Sequence, residues 1–133
     1  MKIGYCGDVC SECPRYIATQ NNNLHAFEKT AILWHKLGLR DSIVSPADLK
    51  CNGCSKELDC AHKINNCVHL NGKNNCGECD LFPCDTISEV FSKTEKFKKI
   101  CKRKCSEEEF YQLQKAFLDK RKILTGINDK NSI

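Results

Sequence analysis

Long apolar runs are missing from this sequence of 133 residues. Its longest unbroken run is the four residues from Ala31 to Trp34, whereas a membrane-spanning helix needs about 20 apolar residues and the apolar part of a signal peptide about 7 to 15. The first ten residues contain two cysteines where an export signal would need an apolar stretch. We therefore expect no membrane span and no export, and a protein of the cytoplasm.

Ordinary core-forming residues are also scarce. The hydrophobic class makes up 41% of the chain, but it includes 12 cysteines, and without them 42 of 133 residues remain, about 32%. A chain of this size with so few apolar side chains supports one small core and not two. We therefore expect a single domain over residues 1–133.

Signatures of catalysis and of β-structure are missing as well. The sequence has no glycine-rich phosphate loop, no recognisable Ser/His/Asp arrangement and no alternating strand of useful length. Any catalysis would therefore have to use a bound metal or a free thiol. These absences favour a protein that is not an enzyme and that has little or no sheet.

Helical signals are present on both sides of an irregular middle segment. Apolar residues recur at steps of three and four between Leu24 and Gly38, with Asn22 or Asn23 as the capping residue. The residues Ser45 to Asp48 are typical of a short helical turn, because a capping serine precedes a proline and an acidic residue follows.

Two capping boxes predict two further helices near the C-terminus. Thr86 pairs with Glu89 and Ser106 with Glu109, and in each pair the hydroxyl and the carboxylate satisfy each other's backbone donors. Gly126 is predicted to end the second of these helices. In all we expect about three to four helices.

The middle segment, residues 51–84, carries 7 of the 12 cysteines, 3 glycines and only 6 large apolar side chains. Burial alone cannot offset the entropy lost when such a segment becomes ordered. The whole sequence contains three CxxC pairs, Cys10/Cys13, Cys51/Cys54 and Cys76/Cys79. This spacing lets two thiolates of one tight turn bind the same ion. Because no export signal supports a disulfide scaffold, metal binding is the favoured interpretation.

Ten cysteines are therefore predicted metal ligands. They are Cys6, Cys10, Cys13, Cys51, Cys54, Cys60, Cys67, Cys76, Cys79 and Cys84. Spacing leaves open which of them share an ion. One grouping joins the four consecutive cysteines from Cys51 to Cys67, and another joins the pairs Cys51/Cys54 and Cys76/Cys79. We predict two or three zinc ions with a mainly structural role.

Four further residues could take part in the same chemistry. His62 and His69 each follow a cysteine by two positions and could replace a thiolate, although a solvated surface histidine is the favoured interpretation. Cys101 and Cys105 lie four residues apart at the end of a lysine-rich helix. That position is equally consistent with metal ligands and with simple thiols.

An iron–sulfur protein with a redox or catalytic role is the first alternative, because the same thiolates bind clusters. Cys6, Cys10 and Cys13 form CxxxCxxC, the spacing with which radical S-adenosylmethionine enzymes hold a cluster. This chain is too short for the barrel of those enzymes, and Glu12 stands where they have an aromatic residue. The match in spacing therefore carries little weight.

Positive charge is concentrated in residues 93–122, which hold 11 basic and 5 acidic side chains, whereas the whole chain has a formal net charge of +4. The densest part contains six basic residues and no acid: Lys96, Lys98, Lys99, Lys102, Arg103 and Lys104. Because this density could neutralise nucleic-acid phosphates, a nucleic-acid-binding zinc module is the second alternative. A solvated helix end is the favoured interpretation.

With these motifs in place, the chain resembles the cysteine-rich bacterial and archaeal family catalogued as domain of unknown function 3795. The resemblance covers most of the chain and rests on CGDVCSECPRYIATQ from Cys6, SPADLKCNGC from Ser45 and CGECDLFPC from Cys76. The stretch CAHKINNCV from Cys60 departs from the family, which has Ile-Arg where this chain has Lys63 and Ile64. The resemblance implies a zinc-binding domain without an established activity.

We therefore predict a small, metal-stabilised, helix-rich domain. Residues 1–50 hold the CxxxCxxC motif and a helix, residues 51–84 form zinc-knuckle-like turns, residues 85–125 form the C-terminal helices, and residues 126–133 are a tail. A structural zinc contributes about 10 to 16 kcal/mol in small peptides, against about 3 to 5 kcal/mol from the core of a mini-protein. Zinc is thus expected to fold the middle segment and to tie it to the helices.

Overall fold

Six α-helical segments make up most of the chain that the computed structural model describes, which is residues 2–54, 62 and 64–131. They are α1 Pro14–Asn21, α2 Leu24–Lys36, α3 Pro46–Leu49, α4 Asp85–Lys104, α5 Glu107–Leu113 and α6 Lys120–Asn131. The same residues contain no sheet, and strand-like pairing is limited to one bridge between Ile3 and Val9. Among these helices none is both long and apolar enough to cross a membrane. The fold is helix-rich as predicted, with more helices than expected.

Three helix starts lie where the sequence predicts them, and two of them have the predicted side-chain cap. The Asn23 side chain accepts a hydrogen bond from the Ala26 N–H at 3.1 Å, which opens α2. Ser106 and Glu109 form the predicted capping box at the start of α5. Ser45 precedes α3, the short turn that was expected there, but its hydroxyl donates to the Asp48 carboxylate and caps no backbone N–H. Each signal lies within one helical turn, so it acts without help from the rest of the chain.

The start of α4 differs from the prediction because a thiol takes the capping position. The helix begins at Asp85 and is preceded by Cys84, so Thr86 lies inside its first turn and the predicted start is wrong. The Cys84 sulfur accepts a hydrogen bond from the Ile87 N–H at an N···S distance of 3.5 Å. That bond satisfies one of the backbone donors that a helix start leaves unpaired.

The last predicted helix is in fact two helices. A π-helical turn over Gln114–Leu118 separates α5 from α6. The prediction that Gly126 ends the helix is wrong, because α6 continues through it to Asn131. Beyond the glycine, the Asn128 side chain donates a hydrogen bond to the Gly77 carbonyl at 3.1 Å. A glycine inside a helix costs only about 1 kcal/mol, and such tertiary contacts can outweigh it.

Buried apolar side chains form two clusters in the described part of the chain. The larger contains Cys13, Ala18, Phe27, Ala31, Leu33, Trp34, Leu37, Leu49, Cys101, Leu113 and Ala116. The smaller contains Cys6, Ile64, Leu70, Cys76, Ile87, Val90, Phe91 and Leu124. The larger cluster joins α1 and α2 to the C-terminal helices. The smaller one lies between α4, α6 and the cysteine-rich middle, so it positions the thiols described next.

Candidate metal centres

Two of the CxxC pairs adopt the same backbone conformation. Cys10–Glu12 and Cys76–Glu78 each form one turn of 3-10 helix. In the first turn the Cys13 N–H donates to the Cys10 carbonyl at 3.0 Å, and in the second the Cys79 N–H donates to the Cys76 carbonyl at 3.1 Å. Side chains three residues apart are eclipsed in a 3-10 turn. Both thiols of each pair therefore lie on the same side of their turn.

Hydrogen bonds from α1 bring the third CxxC pair to the first. The Arg15 side chain donates to the Leu49 carbonyl, with 2.7 Å between Nε and oxygen. The Cys51 N–H donates to the Thr19 hydroxyl at 3.0 Å. The segment that leads into Cys51 thus lies along α1, directly beside the helix that follows Cys13.

The sulfurs of Cys10 and Cys54 meet at the backbone of Gly4. A Cβ atom on Gly4 would lie 3.2 Å from the Cys54 sulfur and 3.6 Å from the Cys10 sulfur. The Cys54 N–H also donates a hydrogen bond to the Cys10 sulfur. Burial raises the pKa of Cys10 and Cys13, and the neighbouring Cys51 raises both further. We call Cys10, Cys13, Cys51 and Cys54 the first thiol cluster.

A second group of four cysteines lines one cavity of about 300 Å³ beside the start of α4. We call these residues the second thiol cluster: Cys67, Cys76, Cys79 and Cys84. Burial raises the pKa of Cys76 to about 12, and the sulfurs of the other three members add to the increase. His69 also lines this cavity, together with the apolar side chains of Ile64, Leu70 and Phe82.

The Cys76 turn is held by contacts that the sequence patterns did not predict. The Asn75 side chain accepts a hydrogen bond from the Gly77 N–H at 2.9 Å, and the Cys76 N–H donates to the Tyr5 carbonyl at 2.9 Å. A Cβ atom on Gly77 would lie only 2.8 Å from the Leu124 carbonyl oxygen, so α6 packs directly on the turn. The signal that was missed is an asparagine, a helix-capping residue, directly before the CxxC pair.

Each thiol cluster contains one cysteine directly before a helix. Cys13 precedes α1, and Cys84 precedes α4. Burial raises the pKa of Cys13 to about 11, whereas the backbone N–H groups of Tyr16 and Arg15 oppose this increase. Hydrogen bonds to a ligand sulfur orient it and stabilise its negative charge. The start of α4 thus donates a hydrogen bond to the Cys84 sulfur, and the start of α1 lowers the pKa of Cys13.

The donor chemistry of both clusters fits a thiophilic metal. Within the described ranges, no group of three or more His, Cys, Asp or Glu side chains is already arranged to hold an ion. Each cluster nevertheless offers four thiols, the donor set of structural zinc sites and of iron–sulfur clusters. Buried thiols such as those of Cys13 and Cys76 need a nearby cation to ionise. A metal ion would provide that charge.

The structure brings Cys51 and Cys54 to Cys10 and Cys13, a grouping that spacing did not suggest. Cys54 also raises the pKa of Cys76 and of Cys6, so the two clusters lie near each other. Cys67 lies with Cys76 in the second thiol cluster. The predicted ligand Cys60 lies outside the described residues. Because Cys13 and Cys51 are far apart in sequence, their meeting depends on tertiary contacts that no local spacing encodes.

The predicted ligand Cys6 lies beside a buried ion pair. Lys120 and Asp8 are 2.7 Å apart between Nζ and Oδ1, and the Lys120 side chain is only 6% exposed. Burial and the Asp8 carboxylate raise the pKa of Cys6, whereas Lys120 lowers it. Burial and Lys120 also lower the pKa of His62. The structure therefore places His62 beside the Lys120 ammonium. The ion pair between Lys120 and Asp8 could not be predicted from local sequence patterns.

The six basic residues singled out in the sequence lie on the last turns of α4. All are exposed or half-exposed, and in the described part of the chain none of them forms an ion pair. The Lys104 side chain donates a hydrogen bond to the Lys36 carbonyl at 3.3 Å. Their position at a helix C-terminus complements the helix dipole. Nucleic-acid binding by these residues stays a prediction.

Comparison with known proteins identifies one family. The family model described as "Protein of unknown function (DUF3795)" matches residues 2–89, a range that includes both thiol clusters. No curated protein and no solved structure matches the chain.

Proposed function

The chain belongs to the DUF3795 family of proteins of unknown function, and from its thiol geometry we propose that it is a structural zinc-binding protein. The first and second thiol clusters would each hold one Zn²⁺ through four thiolates. The observation that carries the proposal is the sorting of eight cysteines into two groups of four, because four thiolates complete a closed tetrahedral zinc site. No catalytic role is assigned to either ion.

The proposed ions would order the segment that burial supports least. An ion in the first thiol cluster would tie Cys51 and Cys54 to the turn before α1. An ion in the second would join Cys67 to Cys84 across the turn at Cys76. Structural zinc contributes about 10 to 16 kcal/mol in small peptides, which exceeds the roughly 3 to 5 kcal/mol available from a small core.

Local electrostatics support thiolates in the first thiol cluster. Four thiolates around one Zn²⁺ leave a net charge of about −2. Although burial raises the pKa of Cys10, the Cys54 N–H and the Lys2 ammonium both lower it. These groups would offset part of the negative charge. Because thiolate ligands must stay reduced, the proposal assigns the protein to a reducing compartment such as the cytoplasm.

The test of metal identity is elemental analysis of protein purified anaerobically in reducing buffer. We expect a colourless protein with two zinc ions per chain. A brown protein with iron and acid-labile sulfide would overturn the zinc assignment and support the iron–sulfur alternative. A folded protein without stoichiometric metal of either kind would overturn the proposal altogether.

Matched variants test the assignment of the two clusters. Cys51→Ser/Cys54→Ser removes half of the first thiol cluster, and Cys76→Ser/Cys79→Ser removes half of the second. Each double variant should bind one zinc ion instead of two. Cys105→Ser lies in neither cluster and should keep both ions. If both double variants keep two zinc ions, the ligand assignment is wrong even if the protein binds zinc.

A further inference from the structure

Cys101 and Cys105 form a pair of thiols at the C-terminal end of α4, outside both thiol clusters. The Cys101 side chain is fully buried in the larger core, whereas Cys105 is half-buried at the edge of that core. The two sulfurs are joined by a hydrogen bond in which the Cys101 S–H donates to Cys105. One thiol of the pair is therefore sheltered, and the other is accessible.

The backbone already holds these two residues at a distance that a disulfide can bridge. The Cys105 N–H donates to the Cys101 carbonyl at 2.9 Å, which continues the helical pattern through residue 105. Residues four apart in an α-helix have Cα atoms about 6 Å apart. Disulfides span Cα separations of about 4.4 to 6.8 Å. The sulfurs are within hydrogen-bonding reach, but Cβ atoms four residues apart on a helix are about 5 to 6 Å apart and a disulfide needs about 3.5 to 4.5 Å. Because α4 ends at Lys104, bond formation needs a small inward shift of Cys105 at the helix end and leaves the rest of the helix in place.

The groups around the pair do not suit a metal ion. Glu109 is the neighbouring carboxylate, and its Oε1 atom lies 2.8 Å from the Lys36 Nζ. The same oxygen accepts a hydrogen bond from the Ser106 N–H at 2.9 Å. The carboxylate is thus already engaged and is not free to complete a metal site with the two thiols. Within the described residues the pair belongs to no group of three or more potential ligands, which favours thiol chemistry over coordination.

We propose that Cys101 and Cys105 are a redox modification site, which forms a reversible intrahelical disulfide by exchange with a low-molecular-weight disulfide. The Cys105 thiolate attacks one sulfur of that oxidant, forms a mixed disulfide and releases one thiolate. The Cys101 thiol passes its proton to the released small thiolate, and its sulfur then attacks the Cys105 sulfur and displaces the second small thiolate. The protein pair loses two electrons and two protons, and the small disulfide is reduced to two thiols.

Access and electrostatics make Cys105 the thiol that reacts first. Cys105 is half-buried, whereas Cys101 is fully buried. Burial and the Glu109 carboxylate raise the pKa of Cys105, and Lys36 and the hydrogen bond from Cys101 act against that increase. Burial raises the pKa of Cys101 to about 12. We therefore expect the second, ring-closing step to be the slower one.

The experiment treats the full-length protein with oxidised glutathione, blocks the remaining thiols with N-ethylmaleimide and digests with trypsin. Trypsin cuts after Lys102, Arg103 and Lys104, between the two cysteines. The flanking peptides therefore stay joined only if a disulfide links Cys101 to Cys105. We expect the joined peptides in the wild type and their loss after treatment with a reductant. If Cys101 and Cys105 both carry N-ethylmaleimide after treatment with excess oxidised glutathione, neither thiol has been oxidised and the proposal is wrong.

Two variants test the order of events, with circular dichroism used to check that each is folded. Cys101→Ala should trap glutathione on Cys105, because the resolving thiol is absent. Cys105→Ser should leave Cys101 unmodified. Persistent glutathione on Cys105 in the wild type would show that the ring does not close. Modification of Cys101 in Cys105→Ser at the wild-type rate would contradict the role of Cys105 as the entry point. The wild-type digest remains decisive if a variant does not fold.

Discussion

The helical body and the cysteine-rich middle are held together by different means. The body, formed by α1, α2, α4 and α5, packs large side chains such as Trp34 and Leu113 into the larger core. In the described part of residues 51–84, Ile64 and Leu70 are the large apolar side chains that are buried. Eight thiols in two clusters lie at the edge of this middle or within it. Burial can therefore hold the body, whereas the middle needs another source of stability.

The difference shows how one chain with few apolar residues can still fold. Apolar side chains are concentrated in the helices, which can bury them, and cysteines are concentrated in the turn-rich segment, which has few apolar side chains. The two regions share the N-terminal segment, since Gly4 lies against the first thiol cluster and the Tyr5 carbonyl accepts a hydrogen bond from Cys76. Removal of metal, loss of the ion pair between Lys120 and Asp8, and truncation of a core side chain should therefore change stability and zinc content in different ways.

Metal removal should have the largest effect, because it acts on the region that burial supports least. On the proposed function, chelation removes about 10 to 16 kcal/mol per ion on the scale of zinc peptides, so the protein should unfold. Circular dichroism and thermal melting before and after verified metal removal measure this. A native spectrum and a cooperative melt in the metal-free protein would contradict the prediction. Re-addition of zinc is the control for irreversible damage.

Lys120→Met should have the next largest effect, since Lys120 and Asp8 connect α6 to the N-terminal segment. Removing the ammonium leaves the Asp8 carboxylate without its cation, which costs about 3 to 5 kcal/mol for a buried pair. The free energy of unfolding of the metal-loaded protein measures the loss. The matched control is Asp8→Asn/Lys120→Met, which removes both charges and should recover much of the stability. Equal losses in the single and double variants would exclude an uncompensated charge as the cause.

Leu113→Ala tests the helical body alone. Leu113 is fully buried in the larger core, and such a truncation costs about 2 to 5 kcal/mol through lost burial and the cavity left behind. Denaturant unfolding should show this loss while the number of bound zinc ions stays the same. The exposed Leu24 offers a control, because Leu24→Ala should change stability by less than about 0.5 kcal/mol. Loss of metal from Leu113→Ala would show that the two regions are not separable.

Glu109→Gln should have the smallest effect and a defined pH dependence. Hydrogen bonds from Lys36 and from the Ser106 backbone lower the pKa of Glu109 in the folded protein. The ionised form therefore adds stability above the unfolded pKa, and this gain is lost as the pH falls through the folded pKa. As the pair is surface-exposed, we expect less than about 1 kcal/mol.

Glutamine keeps a hydrogen-bonding side chain for the capping box at Ser106 and removes only the charge. The free energy of unfolding of wild type minus variant, followed from about pH 7 down to the lowest pH at which both proteins keep their zinc, isolates the charge because shared pH effects cancel. The difference should decrease toward the acidic end. A difference that is constant over this range would mean that the charge contributes nothing.

Sequence patterns succeeded where a structural feature depends on residues within one turn. The caps at Asn23 and Ser106 were predicted because capping joins residues three positions apart. The start of α4 was missed because a cysteine performs the capping role that patterns assign to Thr86. Gly126 does not end α6 because contacts beyond it with a distant turn outweigh its helix-breaking tendency.

The same distinction applies to the candidate metal centres. The CxxC spacing alone predicts that Cys10 with Cys13, and Cys76 with Cys79, share one side of a turn, because three residues complete a 3-10 turn. Which pairs join into a group of four follows from hydrogen bonds between distant residues, such as the bond from the Cys51 N–H to Thr19. Contacts of that kind arise only when the whole chain packs. Composition and spacing therefore specify the chemistry of the thiols, and tertiary packing specifies their partners.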